Sequence, residues 1–448
     1  MYLCEQTILT KMLLRFILEN FCSFDEPVQF DMFPNMKRTT FSEHIYQQKV
    51  PVLKQAAVYG ANGAGKSNLI KGLSFIRNFV IYKDFISKID LEQYIFKLKD
   101  KKSKSLSLLV EFNQNDIYFI YSIEISLNSI EKEALYLSGI GDTEATPIYE
   151  RKGNLITFNK EPSPEVATAI YKLLKKNPFS SLLSLNKEFP IFNDNRVNIA
   201  SQWFNKMFDI ITINSRIPIL IDLMRKDKAL IEFTNRLFSK IDLGIDRLKV
   251  DTQDFETWIN NQHIKAKKEI PDDFLASLKP DEGIVHFENE RQIYSIGLEN
   301  GIRKVYQFMF EQMGENGYKG EMNIRSQSDG TVRLLTLIPA IYDAMEKGKT
   351  VAIDEINHCI HPSLIKKLVE YFASSKGTKG QLIFTTHETC LLDQQNIMRP
   401  DEIWFAQKKD GATQLYSLNE FKLHNSISIQ NGYLEGRYGA VPFIGTLE

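Results

Sequence analysis

GANGAGKS, residues 60–67, fits the pattern G-x-x-x-x-G-K-[ST] in full, follows a short apolar run and opens a helix-like one. Its glycines let backbone N–H groups close around phosphate oxygens, and the positive end of a helix adds to that field. Lys66 would reach the β and γ phosphates of a nucleoside triphosphate, and the Ser67 hydroxyl would bind Mg2+. The phosphate-binding set is therefore Gly60, Asn62, Gly63, Ala64, Gly65, Lys66, Ser67 and Asn68. KTVAIDEI (349–356) is an apolar strand that ends in two carboxylates. Asp354 would hold the Mg2+ shell, often through water. Glu355 would polarise the attacking water as general base. LIFTTHE (382–388) is a second apolar strand; it ends at His387, about thirty residues past the acids, where an imidazole can donate to a γ-phosphate. Lys66, Glu355 and His387 are the candidate catalytic groups.

A third element is NIRSQSDGTVRLLTLIPA (323–340), a polar stub followed by Gly330 and an apolar helical run. Ser328 or Asp329 would cap that helix. A helix N-terminus bearing a hydroxyl and a bare glycine backbone also suits a γ-phosphate. NHCIHP (357–362) offers His358, Cys359 and His361 as metal ligands, but the cluster is short and lacks a distant second pair.

These motifs need strand ends and helix starts to hold them. Residues 12–33 read as two strands with a turn at 25–27, 54–59 as a buried strand, and 67–80 as a helix. The alternation over 105–128 predicts two strands of a meander, with KLKDKKSKS (97–105) as a basic turn before them. Helical stretches are expected at 164–176, 196–208 and 220–244, a loosely ordered polar segment at 251–283, and alternation again at 284–298. After 320 come a helix, a strand at 349–353, a helix at 362–374, a strand at 381–385 and a tail. The simplest organisation is one α/β domain split in sequence, with halves at 12–150 and 301–448 and a helical insertion at 151–300.

Composition narrows the classes. The chain has 448 residues and a formal net charge of -1, which argues against coating nucleic acid by bulk charge. No apolar run approaches the roughly 20 residues that span a bilayer, so no membrane partner is expected. The four cysteines, at 4, 22, 359 and 390, have no paired spacing, and a reduced, cytoplasmic setting is expected. The natural start is either Met1 or Met12, the ordered pattern beginning at the second.

The order of phosphate loop, long insertion, SQSDG, acid pair and His resembles the ATP-binding-cassette ATPases. That resemblance implies that Ser328, Asp329 and Gly330 form a signature that binds the γ-phosphate held by an opposite subunit, so that ATP with Mg2+ is sandwiched in a head-to-tail homo-oligomer. LENFCSF (18–24), IDLGI (241–245), RPDEIWFAQK (399–408) and YLEGRYGAVPF (433–443) further resemble the bacterial abortive-infection ATPases of the RloA and AbiLi type, related to the ATPases of PARIS and OLD-type defence systems. The implied fold is an α/β, ABC-type P-loop ATPase head split in sequence, with an inserted, mainly helical lid. The implied partners are an operon-encoded toxin or nuclease effector and a phage trigger protein. Three positions depart from the pattern: Gln327 stands where Glu is common, Asp401-Glu402 where Asp-Gln is common, and the Mg2+-sensing Gln has only Gln93 as a candidate.

Two functions of different class remain. One is an ATP-hydrolysing gatekeeper of phage defence. The other is a DNA-repair or chromosome-maintenance ATPase that clamps DNA, with nucleic acid as its partner; the lack of a long coiled-coil pattern and the near-neutral charge count against it. A transporter subunit would need a membrane partner and a shorter span between phosphate loop and signature. The tail has two readings, a turn-rich cover over the core or a docking element led by Arg437 and Tyr438.

Overall fold

A computed structural model describes residues 11–99, 105–141, 143–188, 194–212, 217–241, 243–261, 285–288, 293–392, 397–423 and 428–442. The chain separates into two units, Met1–Thr212 with Asp343–Asn357 and Ile365–Glu448, and Ile213–Tyr342 with His358–Leu364. Residues 1–10 and most of the basic turn at 97–105 lie outside the described residues.

In the first unit, an antiparallel sheet begins with β1 (Lys11–Glu19) and β2 (Val28–Asp31). A small ribbon of β3 (Ile45–Tyr46) and β4 (Val52–Leu53) follows. Beyond β5 (Gln55–Tyr59) the antiparallel sheet resumes with β6 (Ser105–Gln114), β7 (Ile117–Ser126), β8 (Ile130–Leu137), β9 (Thr146–Lys152) and β10 (Leu155–Phe158). The strand order is β10-β9-β8-β7-β6-β1-β2. Asn115 and Asp116, both at positive φ, close the β6–β7 hairpin as a two-residue turn whose twist matches the strands. The meander expected at 105–128 thus continues to 158, because Ile130, Leu135, Tyr149 and Ile156 bury into the same core. A boundary at 150 falls inside β9.

The second sheet of this unit is the one that matters for chemistry. Its described order is β11-β17-β18-β5-β19-β20, comprising β11 (Phe208–Ile211), β17 (Thr350–Ile353), β18 (Gln381–Thr385), β5, β19 (Ile403–Lys409) and β20 (Ala412–Ser417). All neighbours are parallel except β19 and β20. β5, β17 and β18 are buried at every position, which is why they read as continuous apolar runs rather than alternating ones. Helix α1 (Lys66–Ile81) lays Leu69, Leu73, Ile76 and Val80 into the core at helical spacing.

Helices α2 (Pro164–Lys176), α3 (Leu182–Glu188) and α4 (Asn195–Gln202) also belong to this unit. The helix expected at 196–208 ends early in a π turn, Trp203–Met207, and gives way to β11. Trp203 is the reason. Its ring stacks on Phe112 at 4.4 Å and on Phe208 at 4.7 Å, bridging the antiparallel sheet to the edge of the parallel one. Parallel pairing of Phe208–Ile211 with β17 then overrides helix propensity.

The second unit differs from the expected helical insertion. Helices α5 (Ile217–Lys226), α6 (Lys228–Phe238) and α7 (Phe255–Asn260) accompany an antiparallel sheet of β12 (Arg247–Asp254), β13 (Val285–Glu288), β14 (Ile293–Glu299), β15 (Ile302–Met313) and β16 (Lys319–Asn323). The β14–β15 hairpin turns on Asn300–Gly301, both at positive φ, a strong hairpin signal. Phe255, Trp258, Tyr294, Ile296 and Val305 form its small core. Residues 262–284, most of the segment expected to be loosely ordered, lie outside the described residues. Helix α8 (Asp329–Lys347) begins in this unit, and α9 (Pro362–Ser374) and α10 (Ile429–Leu434) complete the helices used below.

A buried charge fastens α3 to the antiparallel sheet. Glu133 accepts from Tyr121 and Tyr149 hydroxyls at 3.0 and 3.1 Å and from Leu182 N–H at 2.8 Å, with Arg151 Nη1 at 3.4 Å. Arg151 in turn donates to the carbonyls of Pro178 and Ser180, both at 2.8 Å. Removing the carboxylate would leave the guanidinium and two phenols buried without it. Glu133→Ala should lower the unfolding free energy by about 3–5 kcal/mol in urea melts; a loss under about 1 kcal/mol would contradict this role.

Candidate nucleotide site

Three adjacent parallel strands, β5, β18 and β17, end on one edge of the sheet. Gly60 follows β5, His387 follows β18 and Asp354 follows β17. The crevice outside the carboxyl ends of such strands is where α/β sheets bind ligands. Here it is a cleft of about 180 Å³ lined by residues 62–68 with Glu355 and His387. A larger cleft of about 610 Å³, lined by residues of β2 and β20, holds none of the phosphate loop.

The loop's shape is set from outside. Gly65 has φ +107°, and a Cβ there would lie 2.1 Å from Thr413 Oγ1. That hydroxyl sits 2.8 Å from the Ala64 carbonyl and 2.7 Å from Ser23 Oγ, while Asn68 Nδ2 donates to Ser23 Oγ at 2.8 Å. Ser23 and Thr413 therefore clasp the loop, and sequence reasoning missed both. Ser23 stands in LENFCSF, where it counted only toward a resemblance.

Within the loop, Lys66 Nζ donates to the carbonyls of Gly60 at 2.8 Å and Ala61 at 3.2 Å. Burial brings its ammonium down to about 8, against the opposing pull of Glu355 and Asp354. Ser67 Oγ donates to Asp354 Oδ1 at 3.0 Å, and Thr385 Oγ1 donates to the same oxygen at 2.7 Å. A hydroxyl and a carboxylate, both hard oxygen donors, fit Mg2+, which takes one or two protein oxygens and leaves the rest to phosphate and water. Among the described residues, no group of three His, Cys, Asp or Glu side chains is placed to hold a metal ion, the 357–362 cluster included.

Glu355 occupies the left-handed region at φ +49°, uncommon for a residue with a side chain. Its N–H donates to Thr385 Oγ1 at 2.8 Å, so one threonine hydroxyl fixes both acids. Thr386 Oγ1 donates to Asn357 Oδ1 at 2.9 Å and accepts Glu388 N–H at 3.0 Å. His387, between them, is half-buried. Burial, then the nearby Lys66 charge, holds its imidazole below the ordinary value against Glu355 and Asp354, so it is neutral at pH 7 and donates through one N–H.

The structure thus gathers Gly60 to Asn68, Asp354, Glu355 and His387. Gln93 is exposed on a 3₁₀ turn, its amide donates to Asp90 at 3.0 Å, and it is not among the cleft residues. Ser328, Asp329 and Gly330 belong to the second unit. Ser328 caps α8, its Oγ accepting Thr331 N–H at 3.2 Å. A Cβ on Gly330 would lie 2.7 Å from the Cys359 carbonyl, which accounts for glycine there. Ser328 and Asp329 are exposed at the helix start.

The family model described as "AAA domain, putative AbiEii toxin, Type IV TA system" matches residues 56–393, from inside β5 to just past His387. The chain belongs to this AAA family. No curated protein matches it. The AAA chain is similar to solved SMC heads. One, bound to the C-winged helix domain of ScpA, has 13% identity and a TM-score of 0.47, covering 91% of this chain and 98% of that one. The SMC head domain from Thermotoga maritima has 13% identity and a TM-score of 0.41, covering 92% and 100%. A Smc head with an extended coiled coil, bound to the C-terminal domain of ScpA derived from Pyrococcus furiosus, has 14% identity and a TM-score of 0.43, covering 95% and 99%. Among the described residues no helix of the AAA chain is long and apolar enough to cross a membrane.

The Lys66 shift has a readable consequence. Phosphates favour the ammonium, so above pH about 8 binding must take up a proton. The Kd for ATP measured by calorimetry should weaken about fivefold between pH 8 and 9; a flat profile would contradict the assignment of Lys66 to the phosphates.

Proposed function

We propose that this chain is an ABC-type ATPase of the RloA and AbiLi group that hydrolyses ATP in an anti-phage system and thereby controls a partner toxin or nuclease. The observation that carries the reading is the convergence of the phosphate loop, Asp354, Glu355 and His387 on one cleft at three neighbouring strand ends.

The residues divide the work. Backbone N–H groups of the loop and the α1 N-terminus cradle the phosphates, and Lys66 turns from its carbonyl partners to the β and γ oxygens. Ser67 and Asp354 would hold Mg2+, which would neutralise phosphate charge. Glu355 accepts the proton of a water that attacks the γ-phosphorus as the bond to the β-γ bridging oxygen breaks, giving ADP and phosphate. His387, neutral and a donor, steadies the γ oxygens. In this reading Ser328 and Gly330 of one copy cover the γ-phosphate held by another. Closure then requires a head-to-tail pair, and it repositions the inserted unit that holds or releases the effector. A cytoplasmic location goes with the reading.

Glu355→Gln should keep ATP but lose the base, trapping the closed pair. The tagged variant, pulled down beside its operon neighbours with and without ATP and Mg2+, should retain a neighbour-encoded toxin or nuclease in an ATP-dependent way. ATP-dependent retention of DNA with no protein partner would overturn the defence reading and favour a DNA clamp.

A further inference from the structure

Tyr59 ends β5 directly before Gly60 and is fully buried. Its hydroxyl donates to the Glu388 carbonyl at 3.1 Å, crossing from the strand that carries the phosphate loop to the residue after His387. On the other side of His387, Thr386 is bonded to Asn357. His387 is therefore pinned by both neighbours, one to each flanking strand end. Burial pushes the Tyr59 phenol well above its ordinary value, so it stays a donor through any assay pH.

The Tyr59 ring is in turn set by the chain's C-terminal segment. Tyr433 of α10 meets it edge-on at 5.7 Å and stacks on Phe405 at 5.5 Å and 12°. Tyr438 stacks on the same Phe405 at 6.0 Å, and its carbonyl accepts the Tyr416 hydroxyl at 2.7 Å. Gln430 also reaches Thr389, two residues past His387, at 3.4 Å. Tyr438 is buried, and Arg437 is exposed and paired with Glu435, so the tail covers the core. Tyr433 and Gln430 reach the two segments that bear the phosphate loop and His387, while Tyr438 packs on Phe405 and Tyr416.

We propose that residues 428–442 are a positioning element of the ATP site: Tyr433 sets the Tyr59 ring, and the Tyr59 hydroxyl sets His387 against the phosphate loop. The inference rests on the ATPase reading above. A cover that merely stabilises the core would act through ring packing, which Phe at 59 preserves; the hydroxyl separates the two roles.

The test is a double-mutant cycle on ATP hydrolysis with Tyr59→Phe and His387→Ala. Tyr59→Phe should lower kcat about tenfold with KM for ATP within about twofold. In the His387→Ala background the same substitution should change kcat by less than about twofold, because both act through one group. Tyr433→Ala should mimic Tyr59→Phe, and Tyr433→Phe should restore kcat. Full kcat in Tyr59→Phe, or an equal loss in both backgrounds, would overturn the inference while leaving the ATPase reading intact. A wild-type chain that hydrolyses no ATP would overturn both.

Discussion

One carboxylate oxygen joins three strand ends. Asp354 Oδ1 receives the Ser67 hydroxyl from the start of α1 and the Thr385 hydroxyl from the end of β18. Thr385 also receives the Glu355 N–H, so the acid pair is locked to the strand beside it. A side-chain hydroxyl reaches only about 3 Å, which requires β5, β18 and β17 to be immediate neighbours with aligned ends. That register is what the parallel pairing supplies.

The rest of the first unit keeps those ends still. Parallel strands buried on both faces cannot slip without moving apolar side chains into contact with polar groups. Trp203, stacked between Phe112 and Phe208, couples the antiparallel sheet to the edge of the parallel one. Ser23, between β1 and β2, and Thr413, in β20, grip the phosphate loop, and the left-handed Glu355 persists because Thr385 over-determines it. Such preorganisation suits a site that must place charge against phosphate without rearranging.

The chemistry was legible in the sequence because it is local. A phosphate loop needs its glycines, Lys66 and Ser67 consecutively on one strand-to-helix turn, and apolar strands ending in Asp354–Glu355 and His387 announce themselves the same way. What could not be read is what pairing decides. β11 looks like a helix end until β17 pairs with it. Thr413 and Ser23 are 390 positions apart, and nothing local marks their meeting at the loop. Asn300–Gly301 is a different case, a local hairpin signal at the end of a segment that reads as mainly helical.

The direct test of this account is single-turnover hydrolysis by Thr385→Val, which keeps the side chain's shape and removes the hydroxyl that serves both acids. With the geometry described, the Kd for ATP without Mg2+ stays within about twofold of wild type, while the Mg2+-dependent rate falls about a hundredfold. A variant that hydrolyses ATP at the wild-type rate would contradict the claim that this hydroxyl holds the site together.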